Sequence, residues 1–297
     1  MANLQNGKFD CNYLQYADDT SLYQHSKVKN LSKCVDDMQK ELDRANSWSK
    51  NSNLLMNPTK TKTMVFSTAQ MSTTHNLASL ELVSMDINHQ NIERTKSWRV
   101  LGIKLNEHLK WNLHLNEVIR SCYAVLADLR RLKRFTTFRL RKQLTELLVL
   151  SKLDYCNCLY GSFPAYLLKR LQKVQNSASG FVNGMYSKAG DVVSIGWVLI
   201  KERIDYSIAK LAFQALNDER WPGYLTLEVK EVTRVLRSNS DGTLRLKHSY
   251  IEDTFQYNAA KVFNDISDDF KCMDFKNVKI SLKKLLLDRS KERLNLD

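Results

Sequence analysis

The stretch Leu14-Gln15-Tyr16-Ala17-Asp18-Asp19-Thr20-Ser21-Leu22-Tyr23 decides how this chain is read. Two apolar-rich runs, Cys11 to Tyr16 and Thr20 to Tyr23, flank Ala17-Asp18-Asp19, and that punctuation predicts a β-hairpin. Asp is a favoured turn residue, and ordinary hairpins use it. Two consecutive Asp between apolar strands are nevertheless an awkward choice for stability alone, because like charges at one apex repel unless a cation lies between them. Hard divalent ions such as Mg²⁺ are held by one or two carboxylates plus substrate phosphates. Polymerase chemistry needs that arrangement, with two metals activating a 3′-hydroxyl and stabilising the leaving pyrophosphate.

Downstream, Leu31, Val35, Met38, Leu42, Ala45 and Trp48 recur at steps of three and four behind Asn30, a plausible N-cap, and predict an amphipathic helix. Asn57-Pro58 marks a turn and Met64-Val65-Phe66 a strand. Weaker strands are expected near Leu80–Val83 and Val100–Leu105, with Gln70–Asn76 a polar connection. From Trp111 onward helices dominate. One carries the stripe Leu115, Val118, Ile119, Cys122, Leu126, Leu129 and Leu132; others are expected over Phe138–Leu153, Ala165–Ala178, a stripe from Ile204 to Leu216, Asp253–Ile266 and Val278–Leu287. The predicted class is α+β, predominantly helical. With only 9 Gly and 3 Pro in 297 residues, about a third of average usage, linker-rich and turn-dense all-β architectures are excluded.

The formal charge is +13, from 45 Lys plus Arg against 32 Asp plus Glu. It is unevenly placed. Residues 1–109 carry 13 basic and 11 acidic side chains, and residues 176–297 carry 19 and 17, whereas the 66 residues between them carry 13 and 4. That division suggests three parts, 1–109, 110–175 and 176–297, and an anionic partner for the middle one. The six cysteines are scattered and read as reduced, mostly buried thiols of an intracellular protein of nucleus or cytoplasm. His108 and His114 lack partner ligands, so no zinc site is expected. The longest apolar stretch, Val192 to Ile200, is far short of the roughly 20 residues a membrane helix needs, and no secretory signal is readable.

Tyr16-Ala17-Asp18-Asp19-Thr20 has the form of the reverse-transcriptase catalytic hairpin of non-LTR (LINE-type, jockey-like) retrotransposons, and further segments resemble that family in the same order. Trp48 to Ser52 with Leu54 to Thr61 is similar to the next palm element. Leu101-Gly102-Ile103 followed by Leu109 to His114 is similar to the hairpin leading into the thumb. Lys152-Leu153-Asp154-Tyr155-Cys156-Asn157, Leu171 to Asn176 and Arg203-Ile204-Asp205-Tyr206 resemble signatures beyond it. The resemblance spans roughly residues 11–270. It implies a partial polymerase palm over 1–109, an all-helical basic thumb over 110–175 and a helical C-terminal region over 176–297.

For individual residues it implies that Asp18 binds metal and that Asp19 binds it or shapes the site, the intact family using two Mg²⁺ ions. Tyr16 and Ala17 would position the primer end. Lys60 would act on pyrophosphate, although a solvated surface lysine is an equal reading, and Leu101 with Gly102 would form a primer grip, although a tight turn explains Gly102 equally well. Partners would be an RNA template and a DNA primer, with no membrane.

The family's palm has a further metal-binding Asp and a nucleotide-pocket helix upstream of this hairpin. The chain starts only fifteen residues before Tyr16, so templated RNA-directed DNA polymerase activity is not expected of it. Two departures point to a decayed or repurposed copy. Gly196-Trp197-Val198-Leu199-Ile200 stands where relatives have His-Trp-Leu-Pro and an aliphatic, and Phe263-Asn264-Asp265-Ile266 where Trp-Asn-x-Leu-Pro is usual. The alternatives are a non-catalytic nucleic-acid-binding protein derived from a retroelement, or a helical protein with no nucleic-acid role.

In the basic middle, Arg130, Arg131, Lys133 and Arg134 end one helix, Arg139, Arg141 and Lys142 open the next, and Lys169, Arg170 and Lys173 follow on a third. Any single cluster is explained by a solvated helix face. Their concentration points to a track for the phosphates of RNA or an RNA–DNA duplex. Phe135, Phe138 and Tyr155 could stack on bases, but burial in the core is the expectation for each.

Overall fold

The computed structural model describes residues 10–77, 84–184, 189–228, 244, 254–266 and 275–295. The protein is mostly helical with a few short strands, and it divides into two compact units, residues 1–114 and 115–297. The charge-based boundary at 175/176 falls inside a continuous helix, Ala165–Asn183.

The first unit opens with the expected hairpin, β1 (Asn12–Tyr16) and β2 (Asp19–Tyr23), paired antiparallel. Helix α1 (Leu31–Asn51) follows. Asn30 precedes it but makes no side-chain cap; a 3₁₀ turn over Val28–Asn30 leads into the helix instead. Val35 and Leu42 of α1 form a small core with Met85, Ile87 and Ile92, closed at its edges by Met38, Met56 and Val65. The strand partner of this core is the tight hairpin β4 (Asp86–Ile87) and β5 (Gln90–Asn91), whose register α1 pins with an amide: Gln39 accepts from the Asp86 N–H and donates to the Asp86 carbonyl, both at 3.0 Å. A side chain thus satisfies the ladder groups that a third strand would otherwise take.

Other local expectations are revised. Met64-Val65-Phe66 is not a strand; pairing occurs one step earlier, where β3 (Lys62–Thr63) lies parallel to β6 (Glu93–Arg94). The polar stretch after it contains a short helix, α2 (Ala69–Thr74), because the Thr68 hydroxyl caps it by accepting from the Met71 N–H at 3.2 Å. The expected strand at Leu80–Val83 lies outside the described residues. Last in the unit comes the hairpin β7 (Ser97–Val100) and β8 (Ile103–Asn106). The four pairs remain separate two-stranded sheets.

The second unit is built of helices. Leu115, Cys122, Leu126 and Leu129 of α3 (Asn112–Arg131) are buried as their spacing predicts, whereas Leu132 lies beyond the helix end and is exposed. The next stretch runs from Phe138 to Asp154 but changes pitch: α4 (Phe138–Thr145) passes through a π-turn at Glu146–Leu150 into α5 (Ser151–Asp154). Such a widened turn inserts one residue and re-aims the side chains beyond it. Helix α6 (Ala165–Asn183) ends at Gly184, whose φ of +81° makes it the left-handed C-terminal residue that glycine supplies without strain. Then come α7 (Ala189–Ser194), α8 (Ile200–Asn217), α9 (Phe255–Asn264) and α10 (Phe275–Arg293), the last nine residues longer than its sequence stripe. The apolar run Val192–Ile200 is core.

Glu202, in the first turn of α8, carries a buried charge. Its Oε1 meets Arg293 of α10 at 3.0 Å, while Oε2 has no hydrogen-bond partner. Burial pushes this carboxyl above its ordinary value of 4.5, outweighing the bond it accepts from its own backbone N–H and the Arg293 guanidinium. A folded pKa above the unfolded one gives stability that is fully present below about pH 4.5 and is lost as pH rises through the folded value. Glu202→Gln should therefore lose less thermal stability than the native chain between pH 4.5 and pH 8 in parallel melts. Identical pH profiles would show that the carboxyl does not titrate with folding.

Candidate nucleic-acid interface

The carboxylate hairpin is held at its base. Cys11 is buried, the Asp10 N–H donates to Glu41 of α1 at 3.2 Å, and Arg44 joins the carboxylates of Asp10 and Glu41 at 2.9 and 2.6 Å. At the other end Tyr16 pairs with Asp19, so Ala17 and Asp18 form the two-residue loop and both Asp stand exposed at the apex. Ala17 has φ +53° while Asp18 does not enter the left-handed region, the pattern of a type II′ turn whose first position normally takes glycine. An alanine there is mildly strained. Pleating sends Leu14, Tyr16, Asp19 and Tyr23 to one face, and all four are exposed, with Tyr16 at 68%.

Lys60 is exposed in an Asx-type turn, where Asn57 Oδ1 accepts from the Thr59 and Lys60 N–H groups at 3.0 and 3.3 Å. No hydrogen bond or ion pair joins its ammonium to Asp18 or Asp19 among the described residues. Leu101 (φ +46°) and Gly102 (φ +82°) are the two central residues of a type I′ turn between β7 and β8. Turn geometry therefore accounts for Gly102.

The basic segment separates into two kinds of residue. Arg130 donates to Ser177 Oγ at 2.7 Å, Lys133 Nζ to the Gly184 carbonyl at 2.8 Å, and Arg141 Nε to the Val182 carbonyl at 3.0 Å. The last two satisfy carbonyls freed at the C-terminus of α6 and oppose its dipole. Arg131, by contrast, makes only an exposed 3.6 Å pair with Asp128, of little energetic worth. Arg134 and Arg139 are exposed, and Lys142 is half-exposed. Arg170 of the third cluster donates to Asn116 Oδ1 at 2.6 Å. Phe135, Phe138 and Tyr155 were expected in the core; all three are exposed, with Phe135 the extreme at 84%.

Tertiary structure also joins segments that are far apart in sequence. Arg203 makes a two-pronged pair with Asp154, and Asn157 donates to the Arg203 carbonyl at 3.4 Å. Gln175 Nε2 donates to the Val198 carbonyl at 2.8 Å, and the Ile200 N–H donates to Gln172 Oε1 at 3.0 Å. Trp197 Nε1 donates to Glu146 Oε1 at 2.6 Å, an interaction that sequence spacing offered no means to find. Of these residues Asp154, Val198 and Arg203 line a groove of about 290 Å³, together with Tyr206, Lys210 and Lys283.

No protein-family model, curated protein or solved structure matches the chain. Among the described residues no group of three or more His, Cys, Asp and Glu side chains is arranged to hold a metal ion. Asp18 and Asp19 alone offer the donor set of a single Mg²⁺ that fills its shell with water and phosphate oxygens, not that of a two-metal centre. No described helix is long and apolar enough to cross a membrane.

Arg141 and Arg139 lie on the same first turns of α4 but have different surroundings. Arg141→Ala leaves the Val182 and Thr136 carbonyls without their donor and should destabilise the fold by about 1–3 kcal/mol in denaturant titrations. Arg139→Ala should stay within about 0.5 kcal/mol of the native chain. Equal losses would refute the structural assignment of Arg141.

Proposed function

We propose that the chain is part of a reverse transcriptase of the non-LTR retrotransposon type, comprising a partial palm and a thumb-like helical region. In this form it holds RNA or an RNA–DNA duplex through its phosphates. The observation that carries the binding is the cationic connector between α3 and α4, where Arg131, Arg134 and Arg139 reach solvent. The tetrad Tyr16-Ala17-Asp18-Asp19 supports the polymerase ancestry, since both carboxylates stand at an exposed apex as metal ligands would. Mg²⁺, when bound in such a site, supplies charge neutralisation at the transferring phosphate. The residues of this chain would orient it with Asp18 and Asp19 and hold the duplex with arginines. Among the described residues Asp18 and Asp19 are joined by no third metal-ligating side chain, and in-line displacement depends steeply on placement.

The test is a titration of an RNA–DNA hybrid at several salt concentrations, paired with primer extension in Mg²⁺. Binding should weaken linearly in log salt, and replacing Arg131, Arg134 and Arg139 with Gln should flatten the slope by about one unit for each arginine that pairs with a phosphate. Absence of binding at low salt would leave a helical protein without a nucleic-acid role. Robust extension abolished by Asp18→Asn would show that the chain polymerises and overturn the reading of it as a binder alone.

A further inference from the structure

The segment between Asp128 and Glu146 contains seven basic residues and no acidic one. At its centre a six-residue connector, Leu132–Thr137, joins α3 to α4. It is tightly built. The Phe135 N–H donates to the Leu132 carbonyl at 3.0 Å, and Thr136 Oγ1 lies 3.1 and 3.2 Å from the Leu132 and Lys133 carbonyls. Arg141 Nη1 donates to the Thr136 carbonyl at 3.1 Å, and Thr137 Oγ1 caps α4 by accepting from the Leu140 N–H at 3.3 Å. Lys133 ties the connector to Gly184. Phe135, on this pinned 3₁₀ turn, is the most exposed aromatic side chain among the described residues.

A phenyl ring left in water forgoes the gain it would have from burial. Here the backbone beneath it is fixed, so ordering it for a ligand costs little further entropy. Within four residues of it along the chain stand Arg131, Arg134 and Arg139, all exposed, and Phe138, 48% exposed at the start of α4. An exposed planar apolar ring in a segment with exposed arginines close by in sequence complements an unpaired nucleobase and its neighbouring phosphates, and stacking accepts any base. A stacked base pair inside a duplex offers no such face except at its end. An anionic membrane would instead be met by a long apolar helical face, whereas the apolar group here is a ring on a one-turn connector.

We infer that Phe135 is a stacking platform for an unpaired base, so that this connector grips single-stranded RNA or DNA in addition to duplex. The inference rests on the phosphate-binding reading above and extends it to a strand type and to the residue that meets the base.

The full chain is titrated with a 12-nucleotide oligo(dT) and, separately, with a blunt RNA–DNA hybrid. Phe135→Ala should weaken oligo(dT) binding by about 5- to 150-fold while changing hybrid binding less than twofold. Phe135→Leu should lose as much as Phe135→Ala, Phe135→Tyr should retain binding, and the indole of Phe135→Trp should be quenched by oligo(dT). Native-like oligo(dT) affinity in Phe135→Ala, or full retention in Phe135→Leu, overturns stacking. So does parallel loss on both probes in the Ala, Leu and Tyr variants alike, which would indicate damage to the connector. If the native chain binds hybrid but not oligo(dT), only this inference fails; if it binds neither, the phosphate-track reading fails with it. Loss of sedimentation with phosphatidylserine vesicles in Phe135→Ala, with oligo(dT) affinity unchanged, would assign the ring to a membrane instead.

Discussion

The second unit depends on a buried amide. Gln175 sits fully enclosed in α6, where an unpaired polar group would cost several kcal/mol, and its Nε2 finds the Val198 carbonyl. That carbonyl belongs to the stretch 197–199, where α7 has ended and α8 has not begun. The Trp197 N–H still reaches the Val192 carbonyl of α7 and the Leu199 carbonyl takes the Arg203 N–H of α8, but the Val198 carbonyl and the Leu199 N–H are bonded from other helices. The neighbouring Gln172 takes the Ile200 N–H in the same way, and Ser290 of α10 receives the Leu199 N–H at 3.3 Å. The chain break between α7 and α8 is thereby stitched to two other helices. Buried networks of this kind are rigid when every member is satisfied, and they specify one arrangement of helices over others.

The same helix explains why charge on this protein is not all available for binding. An α-helix leaves its last carbonyls without intrahelical partners, and α6 ends against the basic connector. Lys133 and Arg141 fill those positions. Their positive charges are then held next to the negative end of a dipole, while Arg131, Arg134 and Arg139, within a few residues of them, face water. A net charge of +9 over residues 110–175 is therefore the sum of a structural set and a solvent-facing set, and only the second has the freedom to meet a phosphate.

In the first unit the carboxylate hairpin and the folded core serve different ends. The core is made by one face of α1 against β4 and β5, with Gln39 replacing a strand. The hairpin is anchored at Asp10 and Cys11 and then projects an apolar face bearing Leu14, Tyr16 and Tyr23 into solvent. A two-stranded ribbon is marginal without a covered face, and its open edges can pair with another strand. The hairpin therefore sets exposed apolar surface beside two exposed carboxylates, and among the described residues it pairs with no third strand.

Sequence by itself determined the elements with strong periodicity. The Asp18-Asp19 hairpin, the stripe of α1 and those of α3, α6 and α8 are present where alternation or a three-and-four spacing placed them, because local propensity and burial agree there. Helix ends, the π-turn at Glu146–Leu150 and the cap at Thr68 depend on single hydrogen bonds that periodicity does not register. Above all, residue type could not separate Arg141 from Arg139, or an exposed Phe135 from a core one. An arginine beside a helix C-terminus and one beside water look alike in one dimension. Only the packing of α6 against the α3–α4 connector decided which charges are internal and left the ring of Phe135 on a fixed turn in solvent, since the carbonyls that choose between those fates come from residues 51 and 41 positions away.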